Sequence, residues 1–504
     1  MSAIHLPGNT TNFSRWTFYA LIFLAVYMPF EDFVLKWLPG SDDIFFACRF
    51  ISELMILALV GWMVHHKISL REPFFHTPID APMLALIAAA VISLILNLRD
   101  PISDLVAGVV DLRPIFRYVL LFYVTANTPL SGRQVHMILT AIVIAGFLMA
   151  MTGLAQFAAG GALDDIFLPR TTDVTIAGET RHSRIDEGSR EIGAVHGAAT
   201  DTVPLALMMN TFLMICVARF RCGVFAFMRS AEQPDGGIEP RGVVAKNDVL
   251  HATLIPIFAI TAVLTYARSS LVAIIAILAM EAFYWFGRHI TLGLAVCATI
   301  LLAMMLVIFP PHWTGGGATK TAENPIADFL SIFTVDYLVN NMKNQRLHHI
   351  VGVMPTLLLS SPFIGFGPDE EKAVKMVNEA KPSFLYRPIV ESEFQDVYWV
   401  SFLVKFGLAG LLSLIAVFCV LFRSARMVYE RTRIPIVREL SLMVMYMVII
   451  AAVTMMLERC FELRVYSLYF WLLPGLMFSL LNHCIAGSGQ RLNMEDTDAA
   501  TGAS

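Results

Sequence analysis

Long apolar runs, each near twenty residues and separated by short polar stretches, set the pattern of this chain. Twelve can be placed: 16–34, 44–64, 83–98, 105–125, 135–157 and 203–218 in the first half, then 250–267, 271–286, 290–309, 398–422, 441–457 and 465–481. A helix needs about 20 apolar residues to cross a hydrocarbon core about 30 Å thick. The runs are continuous rather than alternating, which excludes a membrane β-barrel. The pattern predicts an all-α polytopic membrane protein of about twelve transmembrane helices, with a large, partly helical loop between spans 9 and 10. The chain then divides into N-terminal membrane helices (1–157), a first outer loop (158–202), central membrane helices (203–309), the large outer loop (310–397), C-terminal membrane helices (398–482) and a disordered tail (483–504).

Composition sharpens the class. Of 504 residues, 57% are hydrophobic and 15% charged, with a mean hydropathy of +0.67. Soluble domains carry about 25% charged residues. The seven cysteines lie in or beside apolar runs and form no C-x-x-C pair, so they read as small apolar packing residues. The first apolar run, after Arg15, reads as a retained helix rather than a cleaved signal.

The net charge of −4 says less than its distribution. Short cytoplasmic loops are enriched in Lys and Arg. Placing the N-terminus inside puts Lys67 and Arg71, Arg133, the basic residues of 219–246, Arg288 and the run Arg423, Arg426, Arg431, Arg433, Arg438 on the inner side. Both termini are then cytoplasmic. The basic residues serve topology, and nucleic-acid binding is unsupported. The segment 220–248 reads as a flexible connection. In the large loop Ile326, Phe329, Leu330, Phe333, Tyr337 and Leu338 share one helical face, suited to packing on the bundle or lying on the membrane surface. The outer loops are unequal and no internal repeat is visible, which weakens a transporter with two matching halves.

Charges at span edges are costly and are functional candidates by default. Arg49 and Glu53 stand four apart and can pair along one helix face; Arg113 and Arg117, also four apart, form a cationic stripe or snorkel to the interface. Arg268 sits in a tight outer turn, and Arg459, Glu462 and Arg464 cluster between the last two spans. Arginines gathered on the outer side, against the usual bias, point to an anionic ligand of the lipid-linked pyrophosphate type.

The stretch 344–410 gathers the rest. Arg346, His348 and His349 open an amphipathic segment; a Ser361-Pro362-x-x-Gly365-x-Gly367-Pro368 turn follows; then Glu391, Glu393 and Asp396 lead into the span VSFLVKFGLAG. Glycines at 365 and 367 permit a tight bend and close backbone approach to a ligand.

Three pieces of this region, in order, resemble the O-antigen polymerase/ligase superfamily of bacterial envelope enzymes. Arg268-Ser-Ser-Leu-Val resembles its Ser-Arg-Gly-Ala-Leu turn. Arg346 followed by SPFIGFGPD resembles its Arg-x-x-x-Trp helix and Pro-x-x-Gly-x-Gly turn, and DVYWVSFLVKFGLAGLL resembles its His-Asn-x-Tyr-Leu segment and the helix after it. The family's Trp is Ile350 here, and its ligase-type His-Asn pair falls on Asp396-Val397; loss of that histidine argues for the polymerase branch.

The resemblance implies a metal-independent, cofactor-free glycosyltransferase in the bacterial inner membrane. It would join undecaprenyl-pyrophosphate-linked oligosaccharide repeats at the periplasmic face, beside membrane lipid, with a flippase and a chain-length regulator of the same pathway as candidate partners. Asp396, His349 and Glu393 are then the candidates for the base that the acceptor hydroxyl needs. Arg268, Arg346, Arg459 and Arg464, with Gly365 and Gly367, are the candidates for holding the pyrophosphate. Two other readings stay open: a ligase of the same superfamily acting on a different acceptor, and a transporter whose pathway is lined by Arg49, Glu53, Arg113 and Glu281.

Overall fold

The computed structural model describes residues 12–36, 50–98, 102–159, 163, 166, 174–176, 179–181, 197–199, 202–232, 244–265, 267, 269–283, 357, 360–380, 397–432 and 434–501. These residues are helical apart from loops and one hairpin, β1 (Val174–Ile176) paired antiparallel with β2 (Glu179–Arg181). That hairpin is the departure from an all-α chain, and its β-branched Val174, Thr175, Ile176 and Thr180 favour strand.

The first half holds α1 (Asn12–Tyr27), α2 (Glu31–Lys36), α3 (Ile51–Leu70), α4 (Asp80–Leu96), α5 (Ser103–Phe116), α6 (Val119–Asn127) and α7 (Gly132–Ala158). Then come α8 (Thr202–Glu232), α9 (Val244–Leu264), α10 (Ser269–Phe283), α11 (Glu370–Ala380), α12 (Tyr398–Arg431), α13 (Pro435–Thr454) and α14 (Arg464–Thr501). Among the described residues seven helices are long and apolar enough to cross a membrane, and three shorter apolar helices accompany them. Helices lie at eleven of the twelve predicted spans; the ninth, 290–309, falls outside the described residues, as does the amphipathic 326–338 face.

The fourth predicted span is not one helix. It divides into α5 and α6, with the joint at Arg117 and Tyr118. Pro114 lies one turn before the joint, where it removes a backbone donor and crowds the preceding turn. The nine residues of α6 extend only about 13 Å, yet almost all are buried, because α14 wraps against them. Gly475 permits this approach: a Cβ there would lie 2.9 Å from Thr125 Cβ. Small residues at such crossings are how membrane helices pack closely without a hydrophobic driving force. Phe122 meets Trp471 and Phe478 edge-on at 6.2 and 5.9 Å, and Leu130 N donates to Ser479 Oγ at 3.2 Å.

Two polar segments are more helical than the sequence pattern indicates. The 220–248 connection is partly taken up by the ends of α8 and α9, and α14 continues through the expected tail to Thr501. In both places helix propagates from a packed apolar segment, and propagation is far easier than nucleation.

Helix α12 is broken at Gly407, whose φ of 62° and ψ of −168° are non-helical. A break inside a membrane helix orphans backbone groups at a cost of several kcal/mol each. The segment Ser361–Ala380, here called the strap, supplies their partners. Phe366 N donates to Val404 O at 2.8 Å and Gly367 N to Lys405 O at 3.1 Å; Leu408 N donates to Pro362 O at 2.8 Å and Ala409 N to Phe363 O at 3.2 Å. Ser93 Oγ on α4 donates to the same Lys405 O at 2.7 Å. Beyond the turn, Asp369 caps α11 by accepting from Lys372 N at 3.1 Å, and Ala373, Val374 and Val377 bury against Leu357, Phe366, Leu403 and Val404.

Candidate functional site

A cavity of about 320 Å³ opens where the end of α1, α2, the starts of α3, α8 and α14, and the α5–α6 joint converge. Three arginines line it with Glu31, Asp32, Glu53 and Glu462. Arg113 and Arg117 lie one turn apart and reach the same carboxylate. Arg117 Nε lies 3.0 Å from Glu53 Oε1, and Arg113 Nε lies 3.5 Å from Glu53 Oε2. Arg464 comes from the opposite wall, paired with Glu31 and donating to Ser52 Oγ at 2.8 Å.

Burial grades these groups. The side chain of Arg117 is 6% exposed and that of Arg113 is 40% exposed; Arg113 also lies over the Phe50 ring at 4.6 Å. Each guanidinium is held by a carboxylate, and its planar fork of five donors can grip a carboxylate on one edge and a phosphate oxygen on another. The buried members of the set, Arg117 and Glu53, interact more strongly than charges on an open surface. Three guanidiniums stand against four carboxylates in the lining, so the cavity has no net positive charge; guanidiniums held in place are nonetheless groups that can stabilise negative charge on a bound group.

Beside the cavity stands a second constellation. Lys405, 4% exposed in its side chain, lies 2.9 Å from Glu370 Oε2 and 3.9 Å from Glu462 Oε1. Arg459 Nη1 lies 2.9 Å from Glu462 Oε2 and 3.9 Å from Glu370 Oε2. Two cations and two carboxylates thus alternate in one cluster.

Of the residues singled out by sequence, Arg464 lines the cavity and Arg459 stands behind it through Glu462. Gly365 and Gly367, with φ of 77° and 101°, do need glycine, but what Gly365 approaches is the backbone of the α12 break. Asp396, His349, Glu393, Arg268 and Arg346 lie outside the described residues. The residue after Asp396, Val397, is buried at the start of α12, where Tyr398 meets Phe461 with ring centroids 6.5 Å apart, next to Glu462. After Arg268, Ser270 lies 3.4 Å from Asn210 on α8, two residues past the cavity-lining Met208.

Glu53 pairs with Arg113 and Arg117; Arg49, its expected partner, lies outside the described residues. Glu281 does not line the cavity and instead pairs with Arg221 at 3.0 Å. Sequence reading missed Glu31, Lys405, Glu370 and Gly407. Lys405 carried a usable signal, a lone cation in VSFLVKFGLAG two residues before a glycine. Glu31 and Glu370 carried none, because their partners are distant in sequence. Among the described residues no three His, Cys, Asp or Glu side chains come together as a metal site would require, and Cys216, Cys222, Cys419 and Cys460 are free thiols. No family model matches this chain, and no curated protein matches it.

Proposed function

We propose that this chain is a membrane glycosyltransferase that polymerises lipid-linked oligosaccharide repeats into exopolysaccharide or O-antigen at the periplasmic face of a bacterial inner membrane. In this reading undecaprenyl pyrophosphate is the leaving group and no metal takes part. The observation that carries it is the convergence of Arg113, Arg117 and Arg464 on one cavity. The walls of that cavity are the ends of predicted spans 1, 2, 6 and 12 that the charge pattern assigns to the outer side, together with the middle of predicted span 4, which supplies Arg113 and Arg117. A pyrophosphate gains charge as its glycosyl bond breaks, and pre-oriented guanidiniums stabilise that charge without reorganising. The order of the three motifs in 265–422 supplies the glycan chemistry.

A second reading, transport, is favoured by one observation. Two helices are interrupted, at the α5–α6 joint and at Gly407, and transporters place broken helices at their binding sites. Glu53 and Arg113, the residues that reading relies on, line the same cavity as Arg464, so residue location no longer separates the two readings. The product does. In cells carrying Arg464→Gln, Arg268→Ala or Arg346→Ala, each verified in the membrane, a polymerase predicts loss of long glycan and accumulation of single lipid-linked repeats. Long glycan left on its carrier lipid indicates a ligase. Unextended repeats retained on the cytoplasmic side indicate a transporter.

A further inference from the structure

We infer that the strap Ser361–Ala380 is a clamp that sets the spacing of the cavity arginines, with Glu370 and Lys405 as its positioning residues. The functional consequence rests on the anion-site reading above. The geometry behind it does not.

The cavity has two walls that carry guanidiniums. One is the end of α5, with Arg113 on the helix and Arg117 just beyond it; the other is the start of α14, with Arg464, reached through the turn that holds Arg459 and Glu462. Glu370 touches both sides. Its backbone N–H donates to Asp111 Oδ2 at 3.0 Å, two residues before Arg113. Its carboxylate meets Lys405 at 2.9 Å and Arg459 at 3.9 Å, and those cations in turn hold Glu462.

The strap is anchored at two further points. Its turn completes the α12 backbone around Gly407, and Lys372 binds Asp104 and the Asn97 carbonyl at the start of the α5 side. Lys405 joins the two functions. Its carbonyl accepts from Gly367 and its ammonium holds Glu370. Seating the turn in the break therefore aims the ammonium at the cluster, and unseating it removes the Glu370 link between α5 and the Arg459–Arg464 turn, a link that adds to the direct packing of α14 on α6. The strap belongs to the segment between α10 and α12, so whatever displaces that segment also alters the arginine spacing.

The test uses the full chain in lipid nanodiscs. Spin labels are placed at Val109 on α5 and Met456 near the start of the turn, both exposed, and the distance distribution between them is measured. Binding of inorganic pyrophosphate is measured on the same preparations. A narrow distribution that broadens at least twofold in Glu370→Gln, an isosteric change, and again in Lys405→Met supports the clamp. If Glu370→Gln does not insert, Asp111→Ala cuts the same link from the α5 side and must broaden the distribution too. An unchanged distribution in these variants overturns the clamp, even when pyrophosphate binding is lost in Arg464→Gln. A broadened distribution with pyrophosphate bound no better by the natural chain than by Arg464→Gln keeps the clamp and rejects the anion site.

Discussion

Gly365 and Gly407 meet backbone to backbone: a Cβ on Gly365 would lie 2.6 Å from the Gly407 nitrogen, and a Cβ on Gly407 would lie 2.3 Å from the Phe363 carbonyl carbon. Both hold positive φ. Neither the strap nor the broken helix can satisfy its backbone without the other. A loop that reads as a ligand-binding turn in sequence is here part of the membrane helix it adjoins.

That interlock predicts the behaviour of single methyl groups. Gly365→Ala and Gly407→Ala each force backbone apart and impose a strained φ, and each should destabilise by on the order of 3 kcal/mol. Gly61 on α3 has open space around its Cβ position, and Gly61→Ala should be neutral or stabilise by up to about 1 kcal/mol. Thermal unfolding in detergent compares the three. Equal midpoints would mean that the strap is not seated in the break.

The shared carboxylate of Glu53 makes a different prediction. Glu53→Gln leaves Arg113 and Arg117 facing each other without their common partner, and breaking a largely buried pair costs about 3–5 kcal/mol. In the Arg117→Met background the same change should cost much less, since the more buried cation is gone. A double-mutant cycle on chemical unfolding measures the difference. A coupling under about 0.5 kcal/mol would show that the charges act independently.

Orientation is open to a direct check. With native cysteines replaced, a cysteine at Phe363, the most exposed residue of the strap's turn, should react with an impermeant maleimide from outside intact cells. A cysteine at Arg426, exposed near the end of α12, should react only after permeabilisation. The reverse pattern would invert the bundle and put the arginine cavity on the cytoplasmic side.

How much of this was legible in sequence differs between fold and site. The membrane helices were, because twenty apolar residues in a row leave few alternatives. The break at Arg117 was not, because 105–125 is apolar enough to pass as one span and Pro114 inside a membrane helix is often tolerated. Within the site, Arg464 was singled out by its outer-loop cluster, and Arg113 by being a charge inside a span. That these two share a cavity was invisible, since α5 and α14 are more than three hundred residues apart in sequence. The Gly365-x-Gly367 turn was read as a place where the backbone approaches a ligand, and sequence cannot name the partner of an approach. Here it is another stretch of the same backbone.

In the proposed reaction the arginine cavity holds a pyrophosphate whose glycan is transferred to a second lipid-linked repeat. The most direct measurement incubates the purified chain in nanodiscs with lipid-linked oligosaccharide repeats and counts glycan length and released undecaprenyl pyrophosphate together. The prediction is one carrier pyrophosphate freed per repeat added, with the rate falling on the order of a hundredfold or more in Arg464→Gln or Arg117→Gln, the scale expected for losing one charge-stabilising group. A chain that binds the repeats yet frees no carrier, or one that extends glycan equally well without these arginines, would contradict it.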